Sequence, residues 1–174
     1  MTPEFSHEID AATVSETART VEIAADETQR RRLAGRFRLP AIDSLSASIT
    51  LQRRAGIIHA EGEVQADVVQ ACVVTDEPLP ADVRGPFHVR YVADHPGGAR
   101  EDEIELSEQD CETLPIENGR IDLGELVAET LALALDPYPR SAQADAVMRE
   151  REESQAEESS PFAALKSLKS KPAD

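Results

Sequence analysis

Through the middle of the chain, apolar residues return at every second position. Ala47, Ile49 and Leu51 alternate with Ser48, Thr50 and Gln52. After the turn residues Arg54-Ala55-Gly56, Ala60, Val64, Ala66 and Val68 share one parity, and His59, Glu61, Glu63, Gln65 and Asp67 share the other. Phe87, Val89 and Tyr91 then alternate with His88 and Arg90, and Ile104 and Leu106 with Glu103 and Glu105. A period of two sends successive side chains to opposite faces, so these segments predict strands with one face buried and one solvated. The pattern breaks at Val68-Val69, where two apolar residues adjoin. That break predicts a β-bulge or a strand passing between sheets. Thr20 to Ala24 adds a shorter strand.

A sheet with one apolar face must be covered. The cover is predicted over Leu123 to Leu135, where Leu123, Leu126, Val127, Thr130, Leu131 and Ala134 recur at helical spacing. Asp122 and Glu125 make a start like a capping box, and Asp136-Pro137-Tyr138-Pro139 ends the helix. Asn118-Gly119, between Ile116 and Ile121, predicts a tight turn. An earlier helix is predicted over Glu27 to Phe37, with Asp26 as N-cap, its end near Gly35 and Pro40 closing the segment. Its Leu33, Ala34 and Phe37 form a narrow apolar face. Aromatic residues make up 3% of the chain and Trp is absent, so the core must be built from Val, Ile, Leu and Ala. These elements predict an α+β fold: a bent antiparallel sheet or partial barrel of about five to seven strands with one packed helix.

The composition changes after Arg140. Ser141 to Ser160 is rich in Ala, Glu, Gln and Arg and short of large apolar residues, which predicts a solvated helix or tether. The closing segment is different. Ser160 and Pro161 read as N-cap and first helical residue, Phe162, Leu165 and Leu168 fall along one face, and Lys166, Lys169 and Lys171 follow. The expected organisation is one domain over residues 1–140. A polar tether over 141–174 would follow it, ending in a short amphipathic docking segment. Phe162, Leu165 and Leu168, with Lys166 and Lys169, are its candidate partner-docking residues.

Lys and Arg number 18 against 34 Asp and Glu, a formal net charge of −16. Such a chain repels bare phosphate backbones except through a local basic patch, and it suits a basic protein partner. The start, MTPEFSHEID, lacks the cationic and apolar regions of a secretory signal, and the longest apolar stretch, Leu131 to Leu135, is too short for a bilayer. A cytoplasmic location is expected, with no membrane contact and no structural disulfide between Cys72 and Cys111.

No string in the chain marks a catalytic or cofactor site. Cys72, Cys111, His88 and His95 are scattered singly, without metal-ligand spacing, so no metal and no cofactor is expected. Cys72 has no sequence neighbour that would lower its pKa, and it reads as a small buried hydrophobe. The acidic runs Glu101 to Glu105 and Glu150 to Glu153 read as solvated faces. G-x-S-x-G, H-E-x-x-H and P-loop strings are absent. The concentrated basic region is Arg30, Arg31, Arg32, Arg36 and Arg38 on and after the first helix, with Arg53 and Arg54 at the strand turn. These seven are either charge balance for an acidic body or contacts to RNA phosphates, and they are the candidate RNA-binding residues.

Three segments carry a family resemblance: Cys72-Val-Val-Thr-Asp-Glu-Pro after a long strand, Ile121-Asp-Leu-Gly-Glu-Leu-Val-Ala-Glu-Thr-Leu-Ala-Leu-Ala-Leu-Asp-Pro-Tyr-Pro-Arg, and Ser160-Pro-Phe-Ala-Ala-Leu-Lys-Ser-Leu-Lys. Together they resemble the YceD family, the large ribosomal RNA subunit accumulation proteins. The second segment is the most specific, and the N-terminal third matches only in its order of strand, helix and strand. The resemblance implies a non-enzymatic role in accumulation or maturation of large-subunit ribosomal RNA within ribosome assembly. The implied partner is pre-ribosomal large-subunit RNA or a basic ribosomal protein, and no DNA contact is expected. Many members carry C-x-x-C where this chain has Cys72-x-x-Thr75, and further cysteines after the proline pair, where this chain has none. Two other readings remain open from the residues themselves: an RNA-processing enzyme with a metal-dependent carboxylate site, and a generic protein-interaction module.

Overall fold

In chain order the elements are β1 (Glu8–Asp10), β2 (Arg19–Ala24), α1 (Glu27–Phe37), β3 (Ala41–Arg54), β4 (Ile57–Ala71), β5 (Pro78–Ala93), β6 (Glu112–Ile116), β7 (Arg120–Asp122), α2 (Leu123–Ala134) and α3 (Ala144–Ser159). They come from a computed structural model that describes residues 3–93 and 112–159. Five strands form one open sheet in the order β2-β3-β4-β5-β6, and β1 pairs with β7 in a second, small sheet. The class is α+β, as the sequence predicts, and the sheet does not close into a barrel. The β2–β3 and β3–β4 pairs are antiparallel, whereas β5–β6 is parallel. A parallel pair needs a crossover of a dozen or more residues, and residues 94–111 between the two strands are long enough for one. The strand predicted around Ile104 and Leu106 lies outside the described residues.

Both predicted tight turns form. Ala55 and Gly56 have φ of 49° and 84°, between the paired Arg54 and Ile57; Asn118 and Gly119 have 49° and 74°. Two successive left-handed residues give the turn whose twist matches a hairpin, and glycine takes the second place without steric cost.

The irregularity expected at Val68-Val69 sits in the neighbouring strand. The β3–β4 register shifts between Ile42 and Ser44, which places the extra residue at Asp43. β4 keeps its parity: Val68 is buried, Val69 is half-buried and Gln70 is buried. Gln70 can stay inside because its Nε2 donates to the Asp136 carbonyl beyond α2, at 2.8 Å. A polar side chain with its partner in place is tolerated where a bare one is not.

The inward positions form one core. β3 supplies Leu45, Ala47, Ile49 and Leu51, and β4 supplies Ile58, Ala60, Val64, Ala66 and Val68. α2 covers them with Leu123, Leu126, Val127 and Leu131, all buried, while Leu133 on its far side is 83% exposed. Each such side chain contributes about 1.5–3 kcal/mol on burial. α2 lies close on β5, since a Cβ at Gly85 would come within 3.0 Å of Thr130 Cγ2 and 3.2 Å of Ala134 Cβ.

Asp122 caps α2, accepting from Gly124 N at 2.9 Å and Glu125 N at 3.3 Å. The reciprocal half of the predicted box is absent, because the Glu125 carboxylate pairs with Arg36 of α1 instead. α1 does begin with a complete box, Asp26 with Gln29. It runs through Gly35 and ends at Phe37, closed by Arg38 in the left-handed region at φ 56°.

By contacts the chain divides into two units, Met1–Gln70 with Pro80–Asp136, and Ala71–Leu79 with Pro137–Asp174. The first holds the sheet, α1 and α2; the second holds the turn after β4 and α3. Among the described residues no helix is long and apolar enough to cross a membrane.

Candidate functional site

The seven candidate arginines fall into two groups at opposite ends of β3. α1 sits between the end of β2, where Ala24 faces Ser46, and the start of β3 at Ala41. Arg53 and Arg54 lie at the other end, about 40 Å from Ala41 at the rise of an extended strand. One continuous basic patch is therefore not formed.

Two of the seven are committed to folding contacts. Arg36 reaches Glu125 from both terminal nitrogens, at 2.6 and 3.0 Å, and Glu4 at 3.3 Å. The hydrogen bond to Glu125 raises its pKa further above an already high value, with burial opposing. Arg53 donates Nε to Val14 O at 3.0 Å, Nη2 to Ala11 O at 2.5 Å and Nη1 to Gly56 O at 3.4 Å. It thereby pins the segment between β1 and β2 to the end of β3. Arg30 is half-buried and donates to Ala25 O at 2.9 Å. Arg31 pairs with Glu27 one turn back on an exposed face. Arg32, Arg38 and Arg54 are exposed. The docking candidates Phe162, Leu165, Lys166, Leu168 and Lys169 lie outside the described residues, as do Cys111 and His95.

A polar site gathers in the second unit around the buried Cys72. The turn after β4 closes on itself: Cys72 N donates to Glu77 O and Asp76 N to Cys72 O, both at 2.9 Å. Asp76 takes the left-handed conformation that this requires, at φ 58°. The turn also meets the chain after α2, where Val73 N donates to Pro139 O at 2.9 Å and Ser141 N to Cys72 Sγ at 3.3 Å. Thr75 Oγ1 donates to Glu77 Oε2 at 2.8 Å and lies 3.5 Å from Ser141 Oγ.

Cys72 is fully buried, but its surroundings are not those of a hydrophobe. The Thr75 hydroxyl, then the N–H groups of Ser141, Val74 and Thr75, hold its thiol down to about 6 against the opposing effect of burial. Ser141 and Thr75 lower the Glu77 carboxyl in the same way. This corrects the expectation that nothing near Cys72 would shift its pKa. Thr75 was visible in the sequence, but Ser141 is 69 positions away and no spacing rule connects them.

This cage does not fit a zinc ion. Its side-chain donors are one thiol, two hydroxyls and a carboxylate. Structural zinc takes four cysteine or histidine ligands. Among the described residues no group of three or more His, Cys, Asp or Glu is placed to hold a metal ion. His88 instead lies beside His59 on the neighbouring strand, with Nε2 3.5 Å from His59 Nδ1. That pair was missed in the sequence, although both residues stand at outward parity.

A family model described as "Large ribosomal RNA subunit accumulation protein YceD" matches residues 60–169 of 174, more than half of the chain. The match takes in most of β4, the Cys72 turn, β5, α2 and the closing segment. Comparison with curated proteins and with solved structures gives no match. The chain belongs to the YceD family, the large ribosomal RNA subunit accumulation proteins.

Proposed function

We infer that the protein is a non-catalytic factor that supports accumulation or maturation of large-subunit ribosomal RNA by binding during ribosome assembly. The observation that carries this reading is the family match over residues 60–169. The partner in this reading is precursor large-subunit RNA or a basic ribosomal protein. A charge of −16 favours short, local RNA contacts over wrapping a long RNA. The exposed Arg32 and Arg38, with Arg31, supply the basic edge of α1 for such a contact. Arg36 and Arg53 contribute by holding the fold. Residues 141–174 serve as a polar tether, and Phe162, Leu165 and Leu168, flanked by Lys166 and Lys169, dock on the partner as an amphipathic segment.

The test is copurification of the tagged full chain with large-subunit precursors, beside large-subunit RNA levels in a deletion strain. The reading expects reduced RNA in the deletion strain and loss of copurification when residues 160–174 are removed. Unchanged RNA levels would sink it. Metal-dependent cleavage of precursor RNA by the pure protein would replace it with the enzymatic alternative.

A further inference from the structure

The outward face of the sheet gathers groups that the alternation turns away from the core. His59 on β4 stands opposite Gln52 on β3. Arg54, two places along β3 on the same face, donates Nε to Gln52 Oε1 at 2.7 Å. On β5, His88 lies beside His59 with ring centroids 5.7 Å apart. Arg90 shares that face two residues on, and its Nη2 donates to Thr113 Oγ1 of β6 at 3.1 Å. Three adjacent strands thus bring two imidazoles and two guanidiniums to one surface, in a chain of net charge −16. His88 and Arg54 are exposed, and His59 and Arg90 are half-buried. Glu61, the next outward residue on β4, is the acid that acts on His59.

Two ring nitrogens 3.5 Å apart suit a ligand that contacts both. A cation there would be opposed by Arg54 and Arg90. An oxyanion would accept from both rings and from the guanidiniums, and charge-assisted hydrogen bonds of this kind are the strong ones. Every base has a phosphate beside it, so a patch of this chemistry reads RNA without regard to sequence.

We propose that the outer sheet face around His59 and His88, flanked by Arg54 and Arg90, binds phosphate groups of an RNA backbone. This rests on the reading above that the protein acts on ribosomal RNA. Contact through this face depends on protonation. Burial first, then the positive Arg54, His88 and Arg90, push the His59 imidazole below its ordinary value, and Glu61 opposes them. A bound phosphate reverses that push, so binding takes up protons and tightens as pH falls.

The experiment measures binding of a labelled large-subunit RNA fragment to the full chain at about pH 6 and about pH 8, either side of the ordinary histidine range. The wild type is expected to bind about tenfold more tightly at the lower pH, the equivalent of one pKa unit. The double variant His59→Gln/His88→Gln is expected to lose that gain, and Arg54→Gln to weaken binding at both values. Unfolding curves confirm that each variant is folded. A pH gain that survives in the double variant overturns the proposal. So does wild-type protein that binds no RNA at either pH while still copurifying with large-subunit precursors, an outcome that leaves the functional reading intact. Inorganic phosphate is the second probe, read by the His59 and His88 ring resonances. If phosphate shifts them while the double variant binds RNA like the wild type, the face holds a free anion and the RNA proposal falls. RNA binding that follows the expected pattern, in a protein that does not copurify with precursors, supports the face and sinks the functional reading.

Discussion

A cysteine with no charged neighbour in sequence turns out to sit among hydrogen-bond donors, and this changes what its proton does. The ordinary value for this thiol is 9.0, and the cage holds it at about 6, chiefly through Thr75. The unfolded chain has no cage, so the folded state favours the thiolate. The sign follows from linkage: a depressed pKa contributes stability above the unfolded value, and that contribution is lost as pH falls through the folded value. In Cys111→Ser protein, the ultraviolet absorbance of the thiolate should therefore titrate with a midpoint near 6. Thr75→Val should move the midpoint upward. The stability gap between this protein and its Cys72→Ala variant should widen between about pH 6 and pH 9. An ordinary thiol midpoint before Thr75 is touched would remove the cage as its cause. Thr75, the chief cause, stands three residues on in the sequence, but the Ser141 N–H and hydroxyl that also face the sulfur come from beyond α2 and were not legible there. The arginines were legible as residues but not as roles. Arg53 and Arg54 are neighbours in the chain, yet one is tied to three carbonyls and the other is exposed.

At the level of elements, the start of α2 concentrates the most structure on one side chain. Besides capping the helix, Asp122 accepts from His7 N at 2.8 Å and Ser6 Oγ at 2.7 Å. It fastens the N-terminal segment over the helix start, where a Cβ on Gly124 would lie 2.7 Å from Ser6 Cα. Loss of the cap costs about 1 kcal/mol, and loss of the bond from the exposed His7 N adds about 0.5–1.5 kcal/mol. Asp122→Ala should thus destabilise the protein by about 1.5–2.5 kcal/mol in urea unfolding, with Asp122→Asn recovering part of the loss. Glu125→Ala breaks a pair that is a third exposed and should cost no more than about 1 kcal/mol. Equal losses for the two variants would show that the cap is not the anchor. Asp122 was readable as a cap because its donors lie two and three residues ahead. Its other donors, 115 and 116 positions back, were not. The same divide runs through the sheet. Alternation in β3 and β4 follows from local chemistry and was plain to read. The bulge at Asp43 was misplaced onto Val68-Val69, because Gln70 counts as polar until Asp136 supplies its partner.

For the whole molecule, the class was legible and the strand order was not. Pairing of β6 with β5 depends on residues distant in the chain, and no local pattern distinguishes a parallel neighbour from an antiparallel one. Charge, by contrast, is fully present in the sequence, and it acts on folding and on binding with opposite signs. The side chains in the ion pairs among the described residues are about three-tenths exposed or more, so each pair contributes little. A net charge of −16 then repels itself more strongly in the folded state than in an expanded one. Raising NaCl from about 10 mM to about 150 mM shortens the screening length from about 30 Å to about 8 Å, which relieves that repulsion. The unfolding temperature should rise by about 2–4 °C, the equivalent of about 1 kcal/mol in a chain of this length. Over the same range, RNA held through phosphates should bind more weakly, because screening and counterion release remove the attraction. Thermal unfolding and RNA binding measured in one NaCl series should therefore slope in opposite directions. An unfolding temperature that stays flat or falls would mean that the acids are already compensated within the fold. RNA binding that strengthens with salt would mean that its contacts are apolar and not phosphate contacts.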